Sequence, residues 1–172
     1  MDHAAVGTLR ALDLTLQEAL RTVGLSLEAG RVPRATLVLS ESGLSVQTQV
    51  DYGCRTLAWA EVAGLSRGQR AQRQATGQPP PWLDPLALTR WSVLLRTVGR
   101  LLDERQLVLC RVEAAPAPVA APTACTVTVS VAGEPVFDER AVIECIERLR
   151  ALRPIRPAEP QPRGPWWAFW RR

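Results

Sequence analysis

Apolar positions recur along this chain with two different periods. Across residues 4–28, Leu9, Leu12, Leu16, Leu20, Val23 and Leu27 fall at helical spacing and predict one long helix with a single apolar stripe. Ala29-Gly30 predicts its end, and Pro33 blocks continuation. The period then shortens to two. Residues 36–39 read as a strand, Glu41-Ser42-Gly43 as a tight turn, and residues 44–50 as a half-buried strand with Leu44, Val46, Thr48 and Val50 on one face. A turn at Asp51-Tyr52-Gly53 leads to a short strand over 55–59. Glu61 then opens a helix to about Arg73, its carboxylate suited to the positive end of the helix dipole.

The order repeats. After the Pro-rich residues 78–81, Asp84-Pro85 predicts a helix start running to about Glu104, with Leu88, Trp91, Leu95, Val98 and Leu102 inward. Residues 107–113 read as a strand. A Pro/Ala loop over 114–124 precedes a second alternating strand, 125–131, with Val127, Val129 and Val131 on one face. Ala132-Gly133 turns into a short third strand at 135–137, placed at a sheet edge by Pro135. Asp138 caps a last helix to about Leu152, with Val142, Ile146 and Leu149 inward beside Cys145.

Both halves therefore read α-β-β-β-α. Leu20-Arg21-Thr22-Val23-Gly24 recurs identically as Leu95-Arg96-Thr97-Val98-Gly99. The same offset of 75 pairs Leu16 with Trp91, Leu27 with Leu102 and Leu37 with Val112. Past the longer second loop, an offset of 81 matches Leu44, Val46 and Val50 to Cys125, Val127 and Val131. The expected fold class is α+β: two tandem α-β-β-β-α units from an internal duplication, over 1–77 and 84–152, packed as a pseudo-twofold pair with a continuous core. A linker over 78–83 joins them, and an extended Pro-rich C-terminal tail follows over 153–172. The element order resembles that of double-stranded RNA-binding domains. The likeness is one of topology, because Asp138-Glu139 at the last helix start would repel phosphate.

Composition removes whole classes of chemistry. All 21 basic residues are Arg, and the single His is His3. Without Lys there is no Walker A loop and no Schiff base to pyridoxal phosphate. A lone terminal His argues against Ser-His-Asp or Cys-His catalysis. Cys54, Cys110, Cys125 and Cys145 show no zinc spacing. Cys110 and Cys125 fall on strands that are candidates to pair, which leaves a disulfide between them open. Glu61, Asp84 and Asp138 are the carboxylates closest to catalytic acids, and each is better read as a helix-start residue. Trp59, Trp82 and Trp91 are candidates to line a pocket, with Trp91 on the apolar stripe and so in the core. Arg67, Arg70 and Arg73 form a helix face that could meet phosphates, but reads first as solvated. No catalytic, cofactor or metal site is expected.

Charge is uneven. Residues 1–77 carry eight Arg against seven acids, 78–152 eight against nine, and 153–172 five against one. The tail thus holds the whole excess of +4. Its prolines favour an extended spacer, and it ends Trp166-Trp167-Ala168-Phe169-Trp170-Arg171-Arg172. Trp and Arg are the usual anchors of protein interfaces. The expected function is a non-enzymatic scaffold or adaptor that docks on a partner protein, its own body or a second copy through Trp166, Trp167, Phe169, Trp170, Arg171 and Arg172. The alternatives are weak contact of the same tail with an anionic membrane surface, or a small-ligand or nucleic-acid module using the groove between the units. Nucleic acid is disfavoured by the neutral body. The absence of a signal-like N-terminus or of any run near ~20 apolar residues points to a cytoplasmic protein, with peripheral membrane contact as an extension.

Overall fold

The computed structural model of the chain describes residues 3–48, 53–77 and 87–152. Predictions that fall on Val50, the 51–52 turn, Trp82, the Asp84-Pro85 helix start or the tail over 153–172 lie outside these residues. The elements run α1 (His3–Ala11), α2 (Leu16–Ala29), β1 (Ala35–Leu39), β2 (Gly43–Thr48), β3 (Cys54–Ala58), α3 (Trp59–Thr76), a 3-10 turn (Ala87–Thr89), α4 (Trp91–Glu104), β4 (Cys110–Ala115), β5 (Thr126–Val131), β6 (Glu134–Asp138) and α5 (Glu139–Ala151). The protein is mixed α+β, with five helices and one six-stranded antiparallel sheet in the order β3-β2-β1-β4-β5-β6 among the described residues.

The single N-terminal helix expected from the stripe is in fact two. Asp13 adopts a left-handed φ of 50°, and the Leu14 amide bonds back to the Leu9 carbonyl at 3.0 Å. Thr15 then caps α2, its hydroxyl accepting from the Glu18 amide at 3.2 Å. The break swings Leu14 inward, so that Leu9, Leu14 and Leu16 are all buried.

Side-chain alternation builds the sheet's two faces. Ala35, Leu37, Leu39, Leu44, Val46, Cys110, Val112, Ala114, Val127 and Val129 are buried on one face. Thr36, Ser45, Gln47, Thr56, Arg111, Glu113 and Thr128 face the other, at least partly in solvent. The helices cover the buried face. α2 and α4 make the largest contact in the molecule, α3 lies against α2, and α5 lies against α4. The apolar core is continuous across both halves.

The halves meet twice. β1 and β4 pair antiparallel about Leu37 opposite Val112, which joins the two three-stranded sheets edge to edge. α2 and α4 pack antiparallel above that junction. The edge strands are short, and β6 carries the expected Pro135 beside a register shift at Val129/Ser130. Both features discourage further strand addition.

Three details depart from the sequence reading. Trp59 opens α3 rather than ending a strand, and its indole N–H donates to the Ser40 carbonyl at 3.0 Å. Leu107, Val108 and Leu109 precede β4 instead of belonging to it. Cys110 and Cys125 are free thiols. Although β4 pairs with β5, Arg111 lies opposite Ser130 and Ala115 opposite Thr126. The two thiols therefore sit at opposite ends of the ladder, six residues or roughly 20 Å apart at strand rise and beyond disulfide reach.

Candidate functional site

The α2–α4 seam is built from residues that match at the 75-residue offset. A Cβ on Gly24 would stand 2.6 Å from the Trp91 carbonyl oxygen and 2.8 Å from the Ser92 Cα. A Cβ on Gly99 would run into the Leu16 carbonyl oxygen and stand 2.7 Å from the Gln17 Cα. Only glycine lets the helices cross this closely at both points. Each helix then caps the other. The Asp103 carboxylate at the end of α4 accepts the Leu16 and Gln17 amides at 3.1 and 2.9 Å. The Glu28 carboxylate at the end of α2 accepts the Ser92 amide at 3.3 Å and the Ser92 hydroxyl at 2.8 Å, and pairs with Arg90 at 3.0 Å. These bonds satisfy helix-start amides that no residue of their own helix reaches.

The matched carboxylates titrate in opposite directions. Burial works to raise Glu28, but the Ser92 bonds and Arg90 outweigh it and hold the carboxyl below its ordinary range. Burial pushes Asp103 up, and two backbone N–H donors only partly offset it.

On the solvent side of the seam lies a cluster of guanidinium groups. Arg21 sits on α2 only 9% exposed. Its pKa is pushed down to about 10, first by burial and then by the like charges of Arg73 on α3 and Arg96 on α4, while Glu18 pulls the other way. Glu18 is itself held by Arg70, at 2.9 Å. Gln69 donates to the Thr22 carbonyl at 3.4 Å. The Nε atoms of Arg70 and Arg73 are buried and have no hydrogen-bond partner among the described residues.

Glu61 and Asp138 do serve helix starts: Glu61, in the first turn of α3, accepts the Ala58 amide at 2.8 Å, and Asp138 caps α5 by accepting the Arg140 amide at 3.0 Å. Trp91 is buried in the core, as expected, with its indole N–H on the Val32 carbonyl. Trp59 is buried in the core too. Of the α3 arginines, Arg67 is exposed as expected, but Arg70 and Arg73 are half-buried and turned toward α2. Arg21, Arg96, Glu28 and Asp103 carried no sequence signal of their own beyond the repeated pentapeptide. Trp166, Trp167, Phe169, Trp170, Arg171 and Arg172 lie outside the described residues.

Elsewhere, an open cleft of about 440 Å³ lies between β6 and α5, over Phe137 and between Asp138 and Glu144. Burial pushes the Cys110 thiol up to about 12 and raises Cys125 as well, so neither forms a nucleophilic thiolate near neutrality. No cluster of three or more metal-ligating side chains occurs among the described residues, and no helix there is long and apolar enough to cross a membrane. No protein-family model, curated protein or solved structure matches the chain.

Proposed function

We propose that the protein is a non-enzymatic scaffold or adaptor, in which a rigid α+β body carries a Trp/Arg docking tail. The observation that carries this reading is the distribution of charge and aromatics. The body is near neutral, whereas the last twenty residues hold the net +4 and three of the six Trp. Within the described body, Glu28, Glu61, Asp103 and Asp138 are occupied as helix caps.

The same reading takes the halves as a duplicated unit. Its support is that the identical pentapeptides lie where the halves meet, that Gly24 and Gly99 make equivalent crossings, and that Glu28 and Asp103 make reciprocal caps.

Burying one Trp ring stabilises a contact by roughly 2 kcal/mol, against about 1 kcal/mol or less for an exposed Arg. The aromatic residues should therefore set affinity, and Arg171 and Arg172 the salt dependence. The test is affinity capture with the full chain, a Trp166→Ala/Trp170→Ala variant and an Arg171→Ala/Arg172→Ala variant, alongside vesicles with and without anionic lipid. Loss of a protein partner only in the Trp variant supports docking. Binding confined to anionic vesicles selects the membrane reading. Dispensable Trp with decisive Arg reduces the tail to a polycationic arm.

A further inference from the structure

We propose that Arg21, Arg70, Arg73 and Arg96 form a binding site for a small phosphate-class oxyanion on the solvent side of the α2–α4 seam. Arg73 on α3 and Arg96 on α4 lie near enough to Arg21 on α2 for their charges to act on it, and Arg70 on α3 reaches the Glu18 carboxylate one turn before Arg21. The Glu18 carboxylate beside them is already bonded to Arg70 at 2.9 Å. Arg21 is nine-tenths buried and has no ion pair among the described residues. A buried guanidinium facing like charges is unfavourable by itself, so a chain that merely needed a stable helix layer would gain by an apolar side chain here. A shared anion removes the conflict. It offers several acceptors at once to planar Arg forks, whose geometry fits phosphate oxygens two at a time.

The position also explains the burial. Arg21 and Arg96 are the matched arginines of the repeated pentapeptide. Leu20 and Leu95 beside them are fully buried, and the close crossing at Gly24 and Gly99 brings the two helices' arginines together.

The chemistry favours a small anion over an extended one. A polyanionic strand requires a continuous basic track, and the body carries as many acids as arginines. Glu104, further along α4, already engages Arg100 at 2.9 Å and Arg148 at 3.3 Å. The chain's own tail brings net +4 and a single acid, Glu159, which makes it a poor counter-charge.

The experiment is thermal unfolding and calorimetric titration of the full chain at constant ionic strength. Inorganic phosphate and phenyl phosphate are compared with chloride. A saturable rise in Tm with phosphate is expected, with affinity about ten-fold weaker in Arg21→Met and in Arg73→Met. Affinity should be unchanged in Arg111→Met, on the opposite face of the sheet. Equal binding of the ester would identify a phosphomonoester site, and preference for the free ion an enclosed one. In chloride alone, Arg21→Met should melt no lower than the unaltered chain. No saturable effect, or an equal loss in Arg111→Met, overturns the proposal. If Arg21→Met fails to fold, Arg73→Met still decides, because Arg73 lies further from the core.

Discussion

Gly24 and Gly99 hold the α2–α4 seam by what they lack. A methyl group at either position meets backbone of the facing helix, which cannot retreat without parting the core. Gly24→Ala and Gly99→Ala should each lose about 1–3 kcal/mol of stability by denaturant unfolding. Gly64→Ala and Gly68→Ala on α3 meet nothing within 4 Å and should gain up to about 1 kcal/mol from helix propensity. Opposite signs for one substitution separate the crossing from the general cost of glycine. The caps make a second residue-scale test. Because Glu28 titrates below its ordinary value of 4.5 in the folded chain, the folded state binds that proton less readily than the unfolded chain. Its contribution is complete above the ordinary carboxylate range and fades as pH falls through the folded pKa. Glu28→Gln should therefore cost about 1 kcal/mol at neutral pH, and the gap should close in acid. Asp103, raised by burial, contributes with the opposite slope. None of this was legible beforehand. The repeated Leu-Arg-Thr-Val-Gly marked the place, but one sequence gives no sign that a helix-end carboxylate reaches across to cap a helix more than sixty residues away. The helix ends show the same limit. Gly30 ends α2 as the sequence predicts, but it stays right-handed, and the left-handed turn falls one residue later at Arg31, matched by Gln106.

At the scale of elements, the apolar period located every described strand and helix but misjudged their ends and one join. The Leu stripe runs unbroken through Leu12 and Leu16 and hides the α1–α2 break, because both sides of the kink still point inward. Thr15 was the available signal, with Glu18 three residues on. Thr15→Ala should cost about 1 kcal/mol and should fray the first turn of α2, seen as faster exchange of the Glu18 amide, which the Thr15 hydroxyl accepts, than in the unaltered chain. The offset expected between the two halves differs in a similar way. Leu37 pairs with Val46 and Val112 with Val129, so the second strands correspond at an offset of 83, not the expected 81. A slip of two residues leaves every inward side chain inward. Alternation alone could not reveal it, and only the pairing with β1 and β4 does.

At the scale of the whole molecule, the two halves are held by surfaces that neither can leave bare. Separated at the Pro-rich linker, the first half exposes the β1 edge and the second the β4 edge, each a five-residue ladder in the intact sheet. Each half also exposes one side of the α2–α4 seam, with Leu20 or Leu95 at its centre. Unpaired edges and bared apolar helix faces drive association. The reciprocal caps add specificity, since Leu16 and Gln17 find their acceptor only on α4 and Ser92 finds its own only on α2. If the duplicated-unit reading holds, residues 1–81 and 82–172 expressed as separate chains should assemble one to one. The complex should melt cooperatively, with a midpoint that rises with concentration as an associating system requires. Each half alone should form a self-associated species through the same surfaces, because matched positions make the seam nearly self-complementary. Mixing should then convert both into the heterodimer, which sedimentation can follow. Gly24→Ala in the first half should weaken reassembly while leaving that half's own three-stranded sheet in place. Two halves that stay monomeric, melt independently and ignore each other would show instead that the molecule is two domains in contact rather than one fold built from two similar parts.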